Sequence, residues 1–167
     1  MEPLVDIVID DSRWEDADLP ALSARAAEAT LTALGLPCEG FNLVVMGCDD
    51  ARIAELNGQF RQKGQPTNVL SWPSEERASD VVGEMPEPPE PGEPDDPEHL
   101  GDIAIAYETC LREAAEQAKP FSDHVTHLLV HGILHLLGYD HIEDADADLM
   151  ERTETRILAG LGVPDPY

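Results

Sequence analysis

The chain has 167 residues, 42% hydrophobic and 27% charged, a balance that supports one buried core and excludes wholesale disorder. Its 35 acidic and 10 basic residues give a net charge of −25, a field that disfavours any polyanion bound through overall charge. No apolar run reaches membrane-spanning length, Met1–Asp11 lacks the basic and apolar regions of a secretory signal, and Cys38, Cys48 and Cys110 fall at unrelated spacings, so the expectation is a cytoplasmic protein with reduced thiols and no membrane partner.

In chain order, Leu4–Ile9 reads as a strand. Pro20 opens a helix that runs to about Leu34 and is closed by Gly35, the expected proline-first, glycine-last order. Phe41–Met46 is a second strand, and Asp49 or Asp50 caps a short helix through Leu56. Thr67–Trp72 is a short strand stopped by Pro73. Ser74–His99 then holds six prolines and ten acids against one base, Arg77. Proline removes backbone donors and the acids repel one another, which predicts a solvated, mostly unstructured loop. It is either a lid or docking tail, or a tolerated insertion. Gly101–Tyr107 is another strand, and a helix follows around Leu111–Ala118. Ser122 caps a long apolar helix over about Asp123–Leu137, stopped by Gly138, and the last helix covers about Ala145–Leu161. The pattern predicts a single domain over residues 1–167 of the α+β class, a small mixed sheet with helices packed on it.

Five of the six histidines lie between residues 124 and 141. His131 and His135 are four apart on the long helix, so their side chains share one face and can reach one ion at about 2.0–2.1 Å from each nitrogen. Gly138 accepts the left-handed turn that brings His141 round as a third ligand. Three neutral imidazoles suit zinc or another late first-row ion, one per chain, and leave a coordination position open for chemistry. The spacing matches the metzincin peptidase motif, but Gly132 stands where that motif has its glutamate base. His127, one turn before His131, either supports the site or touches substrate, or is an ordinary helix-face histidine. Asp140 orients a ligand imidazole, acts as an acid or base, or caps the turn.

The segment His131-Gly-Ile-Leu-His135-Leu-Leu-Gly138-Tyr-Asp-His141 resembles the signature of the YbeY family of bacterial metal-dependent endoribonucleases. Leu56-Asn-Gly-Gln-Phe-Arg61-Gln-Lys63-Gly-Gln-Pro-Thr-Asn68-Val-Leu-Ser71-Trp-Pro73 is similar to a second block of that family, and Leu100-Gly-Asp-Ile103 to a third. The resemblance implies that His131, His135 and His141 hold the metal, usually zinc, and that Arg61 is needed for activity. A guanidinium grips phosphate oxygens bidentately and stays charged, which agrees with that role. Lys63, Asn68 and Ser71 become candidate substrate contacts, although Asn68 and Ser71 equally suit a turn and a strand cap.

The function so implied is single-strand-specific cleavage of ribosomal RNA, in maturation of the 16S rRNA 3′ end and in ribosome quality control. A metal at the open position stabilises charge on a phosphoryl oxygen, and either water or the RNA 2′-hydroxyl is the nucleophile. The acidic field predicts weak, salt-sensitive binding to free RNA and recruitment by the small ribosomal subunit or an assembly factor. Two alternatives stay open on residues alone: a zinc metallopeptidase-like hydrolase, and a non-catalytic ribosome-assembly factor.

Overall fold

The computed structural model describes residues 4–61, 67–79, 81–140 and 143–167, the side chains of 59–61 excepted. Strand β1 (Val5–Ile9) alternates half-buried Val5, Ile7 and Ile9 with exposed Asp6 and Val8, as a strand with one face on a core must. A one-turn helix α1 (Arg13–Asp16), absent from the sequence expectation, seats the fully buried Trp14, whose indole Nε1 donates to Cys48 O at 2.9 Å. Helix α2 (Leu19–Ala33), with Pro20 in its first turn, returns the chain to β2 (Phe41–Cys48). Helix α3 (Asp50–Arg61) precedes β3 (Val69–Pro73) and β4 (Glu98–Ala106), and three helices follow: α4 (Tyr107–Glu116), α5 (Phe121–Leu136) and α6 (Asp144–Gly160).

The strands form one sheet in the order β1-β2-β4-β3, with β3 alone antiparallel, pairing Val69–Pro73 with Ile105–Gly101. Pro73 ends an edge strand, where a missing N–H costs no ladder bond. Leu43, Val45, Ile103 and Ile105 pack with Leu22, Ala26 and Leu31 of α2 and Leu129 and Ile133 of α5 in the main core. A smaller cluster of Cys48, Ile53, Leu70, Ala104 and Ala106 lies apart from it. The expected mixed sheet with packed helices is therefore present.

Several boundaries differ from the sequence expectation. Helix α4 begins at Tyr107 rather than near Leu111, because β4 ends at Ala106 and the chain turns at once into the helix. Helix α5 begins at Phe121 with Pro120 in the cap position, so Ser122 is not the cap; its carbonyl instead accepts from Thr126 Oγ1 at 2.7 Å. β4 begins at Glu98, so the acidic segment ends at Pro97 and His99 belongs to the sheet, its ring between Asn42 Oδ1 (2.8 Å) and Asp102 Oδ1 (3.2 Å).

Among its described residues the acidic segment has almost no regular structure, only an isolated bridge between Glu93 and Asp96, yet it is tied down at several places, beginning with Ser74 N, which donates to Leu100 O at 3.0 Å. Gly92 N donates to Gly40 O at 2.8 Å, and Gly83 N to Asp146 Oδ1 at 2.7 Å. A further tie is Arg77, whose side chain is 6% exposed. Its guanidinium donates to Leu136 O at 3.0 Å and Leu100 O at 3.1 Å and meets Glu98 at 3.5 Å. The single base of the segment thus satisfies a carbonyl at the end of α5 that has no partner within the helix.

Candidate metal centre

Helix α5 presents the histidines. It ends as its sequence requires: Gly138 adopts φ +101°, Gly138 N donates to His135 O, and Tyr139 N donates to Leu134 O at 3.0 Å, the paired bonds of a Schellman motif. A Cβ on Gly138 would lie 2.4 Å from Arg77 O, so the glycine also permits the acidic segment to approach. The His131 and His135 rings lie 4.9 Å apart, centre to centre, at 79°. The same-face prediction for residues four apart is met. His141 lies outside the described residues, as does Lys63, and Arg61 ends α3 with its side chain also outside them. Among the described residues, no group of three possible ligands is close enough to hold a metal ion.

Behind His131 stands a residue that sequence reasoning did not single out. Glu154 of α6 is fully buried, and its Oε1 accepts a short hydrogen bond from His131 Nδ1. Its Oε2 accepts another short one from the Tyr167 hydroxyl and lies 3.5 Å from His127 Nε2. Burial pushes the Glu154 carboxyl up, but hydrogen bonds from His127, His131 and Tyr167 outweigh it and hold the pKa down at about 2. A carboxylate oxygen accepts, so Nδ1 is the donor in this contact and Nε2 is the ring nitrogen not engaged by it. A histidine fixed from behind by a carboxylate is the arrangement that orients metal-ligating imidazoles, and on that ground the donor set fits a nitrogen-preferring ion such as zinc.

The other expected site residues fall as follows. His127 is drawn into the Glu154 cluster rather than standing alone, its ring 5.6 Å from the Tyr167 ring, centre to centre. Asn68 Oδ1 accepts from Val69 N at 2.7 Å, and Asn68 Nδ2 donates to Glu113 Oε1 at 3.0 Å. The same Glu113 oxygen meets His124 Nε2 at 2.9 Å, so Asn68 and His124 share a joint between β3, α4 and α5. Ser71 is buried on β3 opposite Ile103. Gly132 faces the sheet: a Cβ there would lie 3.2 Å from the Ile103 side chain, a tight contact that any larger residue would have to relieve.

Two clefts flank the histidine pair. One, of about 350 Å³, runs between His135, Gly138 and Asp140 and the start of the acidic segment at Ser74, Glu76 and Ala78. The other, of about 270 Å³, is lined by His131, Ala147, Met150, Glu151 and Tyr167.

These features define a mixed α/β protein with a helix-borne histidine site backed by a buried carboxylate. The chain belongs to the YbeY family: the family model described as Endoribonuclease YbeY matches residues 8–162. A Cereibacter sphaeroides protein named Endoribonuclease YbeY is 81% identical over 100% of both chains. A Paracoccus denitrificans protein of the same name is 61% identical over 98% of this chain and 89% of its own. The solution structure of a Thermotoga maritima protein, 23% identical, superposes with a TM-score of 0.59 over 92% of this chain and 86% of its own, and supports the fold.

Proposed function

We propose that this chain is a single-strand-specific, metal-dependent endoribonuclease acting on ribosomal RNA, in 16S rRNA 3′-end maturation and in ribosome quality control. The observation that carries the reading is the contact between His131 Nδ1 and the buried, ionised Glu154, which prepares that imidazole to bind a metal through its other nitrogen. His131 and His135 would hold one zinc ion, with His141 as the third ligand. Bound there, the ion supplies Lewis-acid stabilisation of charge on a phosphoryl oxygen. Glu154 keeps the His131 proton on Nδ1, and Arg61 grips the non-bridging phosphate oxygens. Lys63, Ser71 and Asn68 are further substrate contacts, Asn68 through whatever capacity its bonds to Glu113 and Val69 leave it. His127 supports the site through Glu154. The protein works in the cytoplasm as one domain, brought to its RNA by the small ribosomal subunit or an assembly factor.

The test is cleavage of single-stranded ribosomal RNA by the wild type, Arg61→Ala and His131→Ala, each with and without chelator, with metal content measured in parallel. Cleavage is expected only from untreated wild type, with zinc retained by Arg61→Ala and lost from His131→Ala. Chelator-resistant cleavage would overturn the metal-dependent reading, and cleavage of casein instead of RNA would favour a peptidase.

A further inference from the structure

We infer that the cleft beside His131 is a nucleobase pocket, in which the Tyr167 ring stacks an unpaired base and the Glu151 carboxylate accepts a hydrogen bond from that base's amino group. The inference rests on the endoribonuclease reading and names what that site recognises.

Charge decides what the cleft can take. Its lining is Ala147, Met150 and the Tyr167 ring, with His131 at one end and Glu151 as its one acid; no lysine or arginine lines it among the described residues. The Glu154 carboxyl lies behind, against His131 and the Tyr167 hydroxyl. A phosphate is repelled by that arrangement, whereas a flat, neutral group with N–H donors is accepted. Cytosine, adenine and guanine carry such donors on exocyclic amines, and uracil does not.

The aromatic wall is preformed. Tyr167 is 59% exposed, yet its hydroxyl is anchored on Glu154 and its ring meets His127 edge-on at 87°. A ring pinned at its hydroxyl, braced by His127 and lining the cleft is a stacking surface that needs little ordering when a base arrives. Because this cleft contains His131 and the larger one contains His135, a single strand crossing the pair sets a phosphate at the imidazoles and a neighbouring base against Tyr167.

The test is methyl NMR on the full chain, following the Met150 resonance during titration with cytidine, uridine and ribose 5-phosphate. Cytidine is expected to shift it at millimolar concentration, uridine several-fold less strongly, and ribose 5-phosphate not at all, with the Met46 methyl reporting an intact fold. Tyr167→Phe keeps the stacking ring but loses its anchor on Glu154 and weakens the response, Tyr167→Leu abolishes it, and Glu151→Ala removes the preference for cytidine over uridine. In cleavage assays Tyr167→Leu raises KM for single-stranded RNA about tenfold over Tyr167→Phe, the size expected for one lost stacking contact. A Met150 methyl that ignores cytidine, or answers ribose 5-phosphate equally, overturns the pocket even if RNA is still cleaved. A response to cytidine in a chain that cleaves no RNA leaves the pocket standing and removes the nuclease reading.

Discussion

Replacing Glu154 by glutamine removes the charge behind His131 at nearly constant volume. The carboxylate is fully buried, accepts from His131 Nδ1 and the Tyr167 hydroxyl, and is ionised at neutral pH. Glutamine offers one acceptor and one donor. If the amide N–H faces Nδ1, the ring proton moves to Nε2, the nitrogen a metal needs. Loss of such a partner costs about 10–100-fold in metal affinity, equivalent to about 1.4–2.7 kcal/mol. Fold stability moves less. The charge-assisted bonds that vanish were worth about 1.5–3 kcal/mol each, but the penalty of several kcal/mol for burying a charge vanishes with them. The assay is competition for zinc against a chromophoric chelator, with thermal melting of the metal-free protein alongside. Zinc affinity is expected to fall within that 10–100-fold range, while Tm stays within about 4 °C. Glu154→Ala is a contrasting case, because it leaves a cavity and stranded ring nitrogens at a cost of about 3–5 kcal/mol, or about 10 °C in Tm. A glutamine variant that binds zinc as tightly as wild type would refute the idea that Glu154 sets the His131 proton.

Arg77→Ala leaves the Leu136 and Leu100 carbonyls without their guanidinium partner, so stability should drop by about 2 kcal/mol. Proteolysis within 74–97 should accelerate, Arg77→Lys should recover only part because an ammonium has no fork, and an unchanged Tm and cleavage rate would contradict the tie. Of the three free thiols, Cys38 alone is partly exposed, whereas burial pushes Cys48 up to about 12 and Cys110 higher still. Ellman's reagent at mildly alkaline pH should therefore label one thiol quickly and the other two only in denaturant; rapid labelling of all three would show the core to be open.

Helices and strands were legible where periodicity and punctuation agree. Pro20 and Gly35 bracket α2, and Gly138 stops α5, because both residues act through the backbone and need no tertiary context. Helix α1 was not legible: four residues carry no period, and what holds them is the long-range burial of Trp14. The acidic segment was legible in part: it is the exposed, irregular loop its composition describes. Composition alone describes a solvated loop, but a single arginine inside it finds two backbone carbonyls on distant elements, and no local pattern reveals that partner.

The same asymmetry governs the site. The pairing of His131 with His135 follows from helix geometry and needs only their spacing. Glu154 looks like one more acid in an acidic chain, but α6 carries a readable signal: its buried positions are Met150, Thr153, Glu154, Ile157 and Leu158, one face at helical spacing. A carboxylate on the apolar stripe of an amphipathic helix must find a partner in the core, since an unpaired buried charge is too costly to keep. In the fold that partner is His131, with the Tyr167 hydroxyl and His127 beside it. Gly132 carries the converse lesson. Its lack of a side chain reads in the sequence as a missing catalytic base, and in the fold the position is buried, with the Ile103 side chain close against it. The peptidase-like spacing of histidines thus follows from a helix-and-turn geometry suited to a metal, and the reaction is set by what surrounds it.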